Sequence, residues 1–75
     1  MVEVNAAGRP RWRYDHKAFF MLTECPCIVM VWERTGMWRW FVSCAYGEGR
    51  DSCPSRKGAK RAAALAHKCL CEATP

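Results

Sequence analysis

The chain has 75 residues and lacks a long hydrophobic run. Its longest apolar stretch, residues 27–32, falls far short of the roughly 20 residues that a membrane-spanning helix needs. The first eight residues lack a basic segment followed by an apolar one, so we expect no signal peptide and a cytoplasmic location. The length supports only one small core, which excludes two-lobed enzymes, Rossmann and barrel folds and repeat arrays.

Patterns typical of catalysis are also missing. The two histidines, His16 and His67, fall in different predicted elements, and there is no phosphate-binding glycine loop, paired carboxylate set or G-x-S-x-G motif. Cys69 lies two residues from His67, and residues with that spacing on a helix do not face each other. We therefore expect no enzyme, no catalytic residue and no cofactor. His16 is more simply a strand histidine, and His67 a residue on the exposed face of a helix.

Cysteine is abundant, with six residues, but no pair has the C-x-x-C spacing typical of zinc knuckles and redox motifs. The six are Cys25, Cys27, Cys44, Cys53, Cys69 and Cys71. Three interpretations remain open: reduced thiols packed as small apolar residues, disulfides, or a zinc ion held by the two C-x-C pairs. Without a secretory signal the reduced thiols are favoured, and we predict no metal site.

The N-terminal half of the sequence predicts a flexible arm and then a strand. Residues 1–8 show no periodicity and are predicted to be the arm, and residues 9–75 form a single domain. Charged and aromatic residues alternate through residues 11–18, which is the pattern of a half-exposed strand. Residues 15–24 are compatible with strand or helix, and strand is favoured because aromatic residues crowd the segment.

The clearest element is a hairpin formed by residues 27–34 and 37–46, with Thr35-Gly36 as a two-residue turn. Gly36 readily adopts the positive φ that such turns require. The turn predicts these opposed pairs: Arg34 with Met37, Trp32 with Arg39, Val31 with Trp40, Val29 with Val42, and Cys27 with Cys44. The pairing of Trp32 with Arg39 predicts a cross-strand cation–π contact.

This register gives the hairpin two largely apolar faces. The predicted core face carries Cys27, Val29, Val31, Trp38, Trp40, Val42 and Cys44. The second face carries Met30, Trp32, Arg39 and Phe41, flanked by Ile28 and Ser43. One helix covers only one face of a sheet, so the second face needs the N-terminal segment, a second copy of the chain or a partner. We predict that Met30, Trp32, Arg39 and Phe41 bind a partner, with a homodimer as an alternative.

The C-terminal part predicts a loop followed by a helix. Residues 47–54 have the composition of a loop, and Ser55 is a good N-cap for a helix that ends near Cys71. An alanine-rich half of this helix would face the sheet, and His67 would lie with the basic residues on the other half. The predicted fold class is α+β: a small two-layer sandwich with a three-stranded antiparallel sheet followed by one C-terminal helix, in the order β-β-β-α.

The net charge of +5 is concentrated in two basic patches. The predicted helix carries Arg56, Lys57, Lys60, Arg61 and Lys68, a set suited to phosphate or to an acidic surface. A second patch combines aromatic residues with basic ones, as in proteins that bind single-stranded nucleic acid; its basic residues are Arg9, Arg11, Arg13 and Lys17. A solvated helix face and a strand with inward-pointing aromatics are the simpler explanations of the two patches.

Residues 55–64, with the sequence S-R-K-G-A-K-R-A-A-A, resemble the start of the last helix in double-stranded-RNA-binding domains. In that family S-K-K-x-A-K-x-x-A-A follows a three-stranded sheet, and the resemblance implies phosphate contacts by Arg56, Lys57 and Lys60.

The whole chain, with W-x-W in a strand, a glycine-rich loop and a basic alanine-rich helix, also looks like small accessory proteins of bacteriophages and mobile elements, including anti-CRISPR proteins. That resemblance implies a non-enzymatic inhibitor in the host bacterial cytoplasm that occupies a protein or nucleic-acid binding surface of a host nucleoprotein complex. The alternative is a module that binds duplex RNA or DNA directly through the basic helix, and no membrane contact is expected.

Overall fold

The computed structural model describes residues 10–23, 25–45 and 47–72. Within these residues, five strands and one helix follow one another: β1 Trp12–Asp15, β2 Ala18–Met21, β3 Ile28–Arg34, β4 Met37–Cys44, β5 Gly47–Cys53 and α1 Arg56–Glu72. The strands form one antiparallel sheet in the order β1-β2-β3-β4-β5. The α+β class and the single C-terminal helix are confirmed, whereas the prediction of three strands is wrong. The predicted arm, residues 1–8, lies outside the described residues.

The segment predicted as one N-terminal strand is a hairpin. His16 and Lys17 join β1 to β2 with φ angles of 48° and 62°, the backbone conformation of a two-residue type I′ turn. Beyond the strands, the N–H of Leu22 donates to the carbonyl oxygen of Arg11 at 2.9 Å. The sequence does not predict this turn, because His16 and Lys17 continue the strand alternation and neither is glycine or asparagine.

The segment predicted as a loop, residues 47–54, contains β5. Its sequence is poor in the branched and aromatic residues that favour strands, and it becomes one because it pairs with β4 along its whole length. Because glycine has no side chain, two glycines of β5 also let residues of α1 and β4 pack close to its backbone. A Cβ atom on Gly47 would lie 3.4 Å from Cδ2 of Leu70, and one on Gly49 would lie 3.4 Å from the Trp40 ring.

The register of the central hairpin is confirmed for every pair from Ile28–Ser43 to Arg34–Met37. Thr35 and Gly36 form its turn, with φ angles of 50° and 80°. Because β3 begins only at Ile28, the predicted pairing of Cys27 with Cys44 is not part of this ladder.

Helix α1 begins where predicted, because the N–H of Gly58 donates to Oγ of Ser55 at 3.1 Å and so caps the first turn. It packs on one face of β3, β4 and β5. Ala59 and Ala63 are fully buried there, against Val29, Val31 and Val42 of the sheet. No helix in the described part of the chain is long and apolar enough to cross a membrane.

The buried face of α1 is rotated from the predicted one. His67, expected on the exposed half, is only 3% exposed, whereas Leu65, expected on the buried half, is 60% exposed. Ala59, Ala63 and His67 follow one another at intervals of four residues and therefore lie along one side of the helix. The prediction failed because hydrophobicity alone assigned the faces, and His67 has polar partners inside the fold.

Candidate functional site

The sheet face opposite α1, which we call the open face, has no helix over it within the described residues. Alternate residues of each strand point to this face. Strand pairing aligns Phe20, Met30, Phe41 and Arg50 in one row and Ala18, Trp32, Arg39 and Ser52 in the next. The four residues predicted to bind a partner are therefore neighbours on the two central rows of this face.

Aromatic and arginine side chains are neighbours on the open face. The guanidinium of Arg50 lies 5.7 Å from the ring centroid of Phe41, and its Nη2 lies 3.5 Å from Oε2 of Glu48. Arg39 is exposed and faces Trp32 across the hairpin, but the cation–π contact predicted between them is not formed. Trp32, Arg39, Phe41 and Arg50 line a shallow groove on this side of the sheet.

The five basic residues predicted on the helix divide into two groups. Lys57, Arg61 and Lys68 are exposed, and no ion pair between described residues involves them. Arg56, which is also exposed, and Lys60, which is half-buried, lie over the first hairpin. The charged groups of Arg56 and Lys60 are 5.3 and 3.9 Å from the ring centroid of Phe19. Burial, reinforced by the charge of Arg56, lowers the pKa of Lys60.

We expect Lys60→Ala to lower the free energy of unfolding by about 1 kcal/mol, because the lysine stem and charge cover aromatic rings of β1 and β2. Lys57→Ala, one turn earlier and exposed, should change it by less than about 0.5 kcal/mol. Urea denaturation of the reduced proteins measures both values. Equal effects of the two substitutions would contradict the packing role of Lys60.

The second basic patch does not combine its charges and rings on one surface. Trp12 and Tyr14 lie on the α1 side of the sheet: Trp12 contacts Lys60, and the Tyr14 ring is 4.8 Å from that of Phe19. Arg13 alternates with them, and its Nη2 is 4.0 Å from Oδ2 of Asp15. Of the other predicted members, Arg11 and Lys17 are exposed, and Arg9 lies outside the described residues.

Three cysteines and a histidine meet where the β2–β3 loop reaches the C-terminal half of α1. Nε2 of His67 lies 3.2 Å from Sγ of Cys25 and 3.4 Å from Sγ of Cys71. Sγ of Cys27 is 3.9 Å from Sγ of Cys71. All four side-chain atoms lie within 4.8 Å of one another. We call these four residues the Cys–His cluster.

A turn in the β2–β3 loop and the periodicity of α1 position the four side chains of the cluster. The N–H of Cys27 donates to the carbonyl oxygen of Cys25 at 2.8 Å, across Pro26, and the fixed φ of proline suits such a three-residue turn. The hydroxyl of Thr23 donates to the same oxygen at 3.0 Å. His67 and Cys71 are four residues apart on α1, so they lie on one side of the helix.

The thiols of the cluster differ in their acidity. Burial opposes ionisation of Cys25, but hydrogen bonds, led by the one with His67, outweigh it and lower its pKa to about 6. Burial, together with Cys25 and Cys71, raises the pKa of Cys27 to about 12. Burial also raises the pKa of Cys71. Negative charges this close repel one another, so a neighbouring cation is needed for all three thiols to ionise together.

The sequence does not predict the cluster, because Cys69 and Cys71 resemble a C-x-C ligand pair. Cys69 is exposed and lies outside the cluster. The available signal was the spacing from His67 to Cys71, which places two metal-binding residue types one helical turn apart, as in the H-x₃₋₅-H half of zinc fingers. Because His67 was predicted on the exposed face of the helix, this spacing did not indicate a metal site inside the fold.

Within the described residues, the fold and its sites define a small α+β protein with a five-stranded antiparallel sheet, one C-terminal helix and a sheet face that the helix does not cover. Comparisons with protein-family models, curated protein sequences and solved structures found no match for the chain.

Proposed function

We propose that this chain is a small non-enzymatic binding protein whose open face occupies a surface of a protein partner. The observation that supports this proposal is the juxtaposition of Trp32, Arg39 and Phe41 on a sheet face that α1 does not cover. Tryptophan and arginine dominate the energetics of protein interfaces, and aromatic residues and methionine are enriched in them. Met30, next to Phe41, adds an adaptable apolar contact.

The charges of the open face favour a partner with an apolar centre and acidic surroundings. Arg39 and Arg50 lie beside the aromatic residues, and Arg39 has no acidic partner within the described residues. Complementary charge would orient the partner and accelerate association. Following the resemblance of the whole chain to phage accessory proteins, we propose a host nucleoprotein complex as the partner and inhibition in the host cytoplasm, as anti-CRISPR proteins do, as the function.

Direct nucleic-acid binding is the second candidate function. It is favoured by the exposed helix residues Lys57, Arg61 and Lys68, which no described carboxylate neutralises. Contacts of this kind give an affinity for duplex RNA or DNA that falls steeply with salt concentration. Arg56 and Lys60 support this candidate less, because their charges lie over aromatic rings.

Two double variants separate the candidates. Trp32→Ala with Arg39→Glu alters the open face, and Lys57→Glu with Arg61→Glu alters the helix face. Leu65→Ala is the control, because Leu65 is a large apolar residue that is 60% exposed on the helix and lies away from the open face. Each tagged protein is incubated with bacterial lysate before and after nuclease treatment, and the retained proteins are quantified by mass spectrometry. Circular dichroism verifies that every variant is folded.

We expect the wild-type chain to retain a defined protein after nuclease treatment, and the open-face variant to reduce this retention about tenfold or more, as loss of an interface hot spot does. The control and the helix-face variant should retain it. Retention that disappears with nuclease and with the helix-face variant would establish the second candidate instead. If light scattering shows a homodimer that the open-face variant dissociates, the open face binds a second copy of the chain and the proposal is wrong.

A further inference from the structure

We propose that Cys25, Cys27, His67 and Cys71 bind one zinc ion, which joins the β2–β3 loop to the C-terminal end of α1. None of the four is among the residues assigned to partner or nucleic-acid binding, so this inference does not depend on the proposed function.

Three of the six separations within the cluster are close to those of a tetrahedral zinc site. With zinc–sulfur bonds of about 2.3 Å and zinc–nitrogen bonds of about 2.0 Å, a tetrahedron separates two sulfurs by about 3.8 Å and a sulfur from a nitrogen by about 3.5 Å. The observed separations are 3.9 Å between Cys27 and Cys71, and 3.2 and 3.4 Å from His67 to the sulfurs of Cys25 and Cys71. The remaining pairs lie within 4.8 Å, which small side-chain rotations can shorten.

One hydrogen bond of the imidazole does not account for both short nitrogen–sulfur distances, although Cys71 also lies within hydrogen-bond reach of Cys27. Nε2 of an imidazole has one position, which either donates or accepts a single hydrogen bond. Two sulfur atoms, from Cys25 and Cys71, nevertheless approach it within 3.4 Å. A cation between the four groups satisfies both sulfurs and the nitrogen together. A disulfide does not explain the geometry either, because bonded sulfurs are about 2.05 Å apart, whereas Cys27 and Cys71 are 3.9 Å apart.

The ligand types favour zinc over magnesium and calcium. They also indicate that the ion has a structural role and not a catalytic one. Three thiolates and one imidazole in a tetrahedron are the Cys₃His set of structural zinc sites, and soft sulfur ligands disfavour magnesium and calcium. Four protein ligands leave no open coordination position for a substrate or a reactive water. The ion would connect residues that are 42 and 44 positions apart in the chain. Small domains commonly rely on such a connection because their cores are limited.

The first measurement is the metal content of the full chain, purified under reducing conditions, by native mass spectrometry and elemental analysis. We expect about one zinc per chain, and visible absorption bands of tetrahedral thiolate coordination when cobalt(II) replaces it. Cys71→Ser should reduce the zinc content about tenfold or more. Cys69→Ser, which changes an exposed thiol two residues away, should retain the wild-type content.

A further variant keeps the test valid if Cys71→Ser fails to fold. Cys71→His replaces one zinc ligand by another at the same helical position, so it should retain about one zinc and shift the cobalt(II) spectrum. Wild-type protein that binds neither zinc nor cobalt(II) after full reduction would overturn the proposal. A disulfide within the cluster under reducing conditions, or equal metal loss in the Cys69→Ser variant, would also overturn it.

Discussion

Chelation of zinc from the loaded protein is expected to lower the midpoint of thermal unfolding by about 15 °C or more. A ligand present at about 1,000 times its dissociation constant stabilises the folded state by about 4 kcal/mol. In a domain of this size, each kcal/mol shifts the midpoint by about 4–8 °C. The effect is large because Cys25 and Cys27 come from a loop, whereas His67 and Cys71 come from the helix. Removing the ion leaves three partly buried thiols close to one imidazole.

The measurement is thermal unfolding followed by circular dichroism, with excess zinc and then with a strong chelator, always with a phosphine reductant. Cys69→Ser should lose stability on chelation as the wild type does, and added zinc should restore it. Cys71→Ser should respond little, because it lacks one ligand. An unchanged midpoint in wild-type protein that has demonstrably lost its zinc would show that the ion contributes nothing to the fold.

Ala63→Leu is expected to lower the free energy of unfolding by about 1–3 kcal/mol, the usual effect of overpacking a core. Ala63 is fully buried where α1 contacts the sheet, and Val31 and Val42 are fully buried in the same cluster. The added carbon atoms have no space unless the helix moves away from the sheet or neighbouring side chains leave their preferred rotamers. In a small domain this is a large fraction of the total stability.

Arg61→Leu is the matched control for Ala63→Leu, because Arg61 is exposed on the same helix and receives the same new side chain. We expect this control to change the free energy of unfolding by less than about 0.5 kcal/mol. Urea denaturation of both zinc-loaded variants gives the comparison. If Ala63→Leu leaves the free energy of unfolding unchanged, the helix is packed less closely on the sheet than its buried alanines indicate.

The elements that were predictable depend on local chemistry. The central hairpin follows from a two-residue turn, which sets the register of every pair down to Ile28 and Ser43. The helix start follows from Ser55, whose hydroxyl accepts a hydrogen bond from within the first turn. The candidate partner surface was predictable for the same reason, since the register alone places Trp32 beside Arg39.

The additional strands were not predictable because long-range contacts stabilise them. β5 has the composition of a loop, and its pairing with β4 and its packing under α1 outweigh that local preference. The turn at His16 and Lys17 uses two residues with positive φ that are neither glycine nor asparagine. Pairing of β1 with β2, and contact of their aromatic rings with the charges of Arg56 and Lys60, favour this conformation.

The sequence alone was sufficient for the class of fold, the central hairpin and the start of the helix, because turns, caps and periodicity act over a few residues. The tertiary structure was required to show that the charges of Arg56 and Lys60 lie over aromatic rings, and that His67 faces inward. It was also required to bring the β2–β3 loop to the end of α1. The Cys–His cluster exists only after the chain has folded, because its two halves are more than half the chain apart.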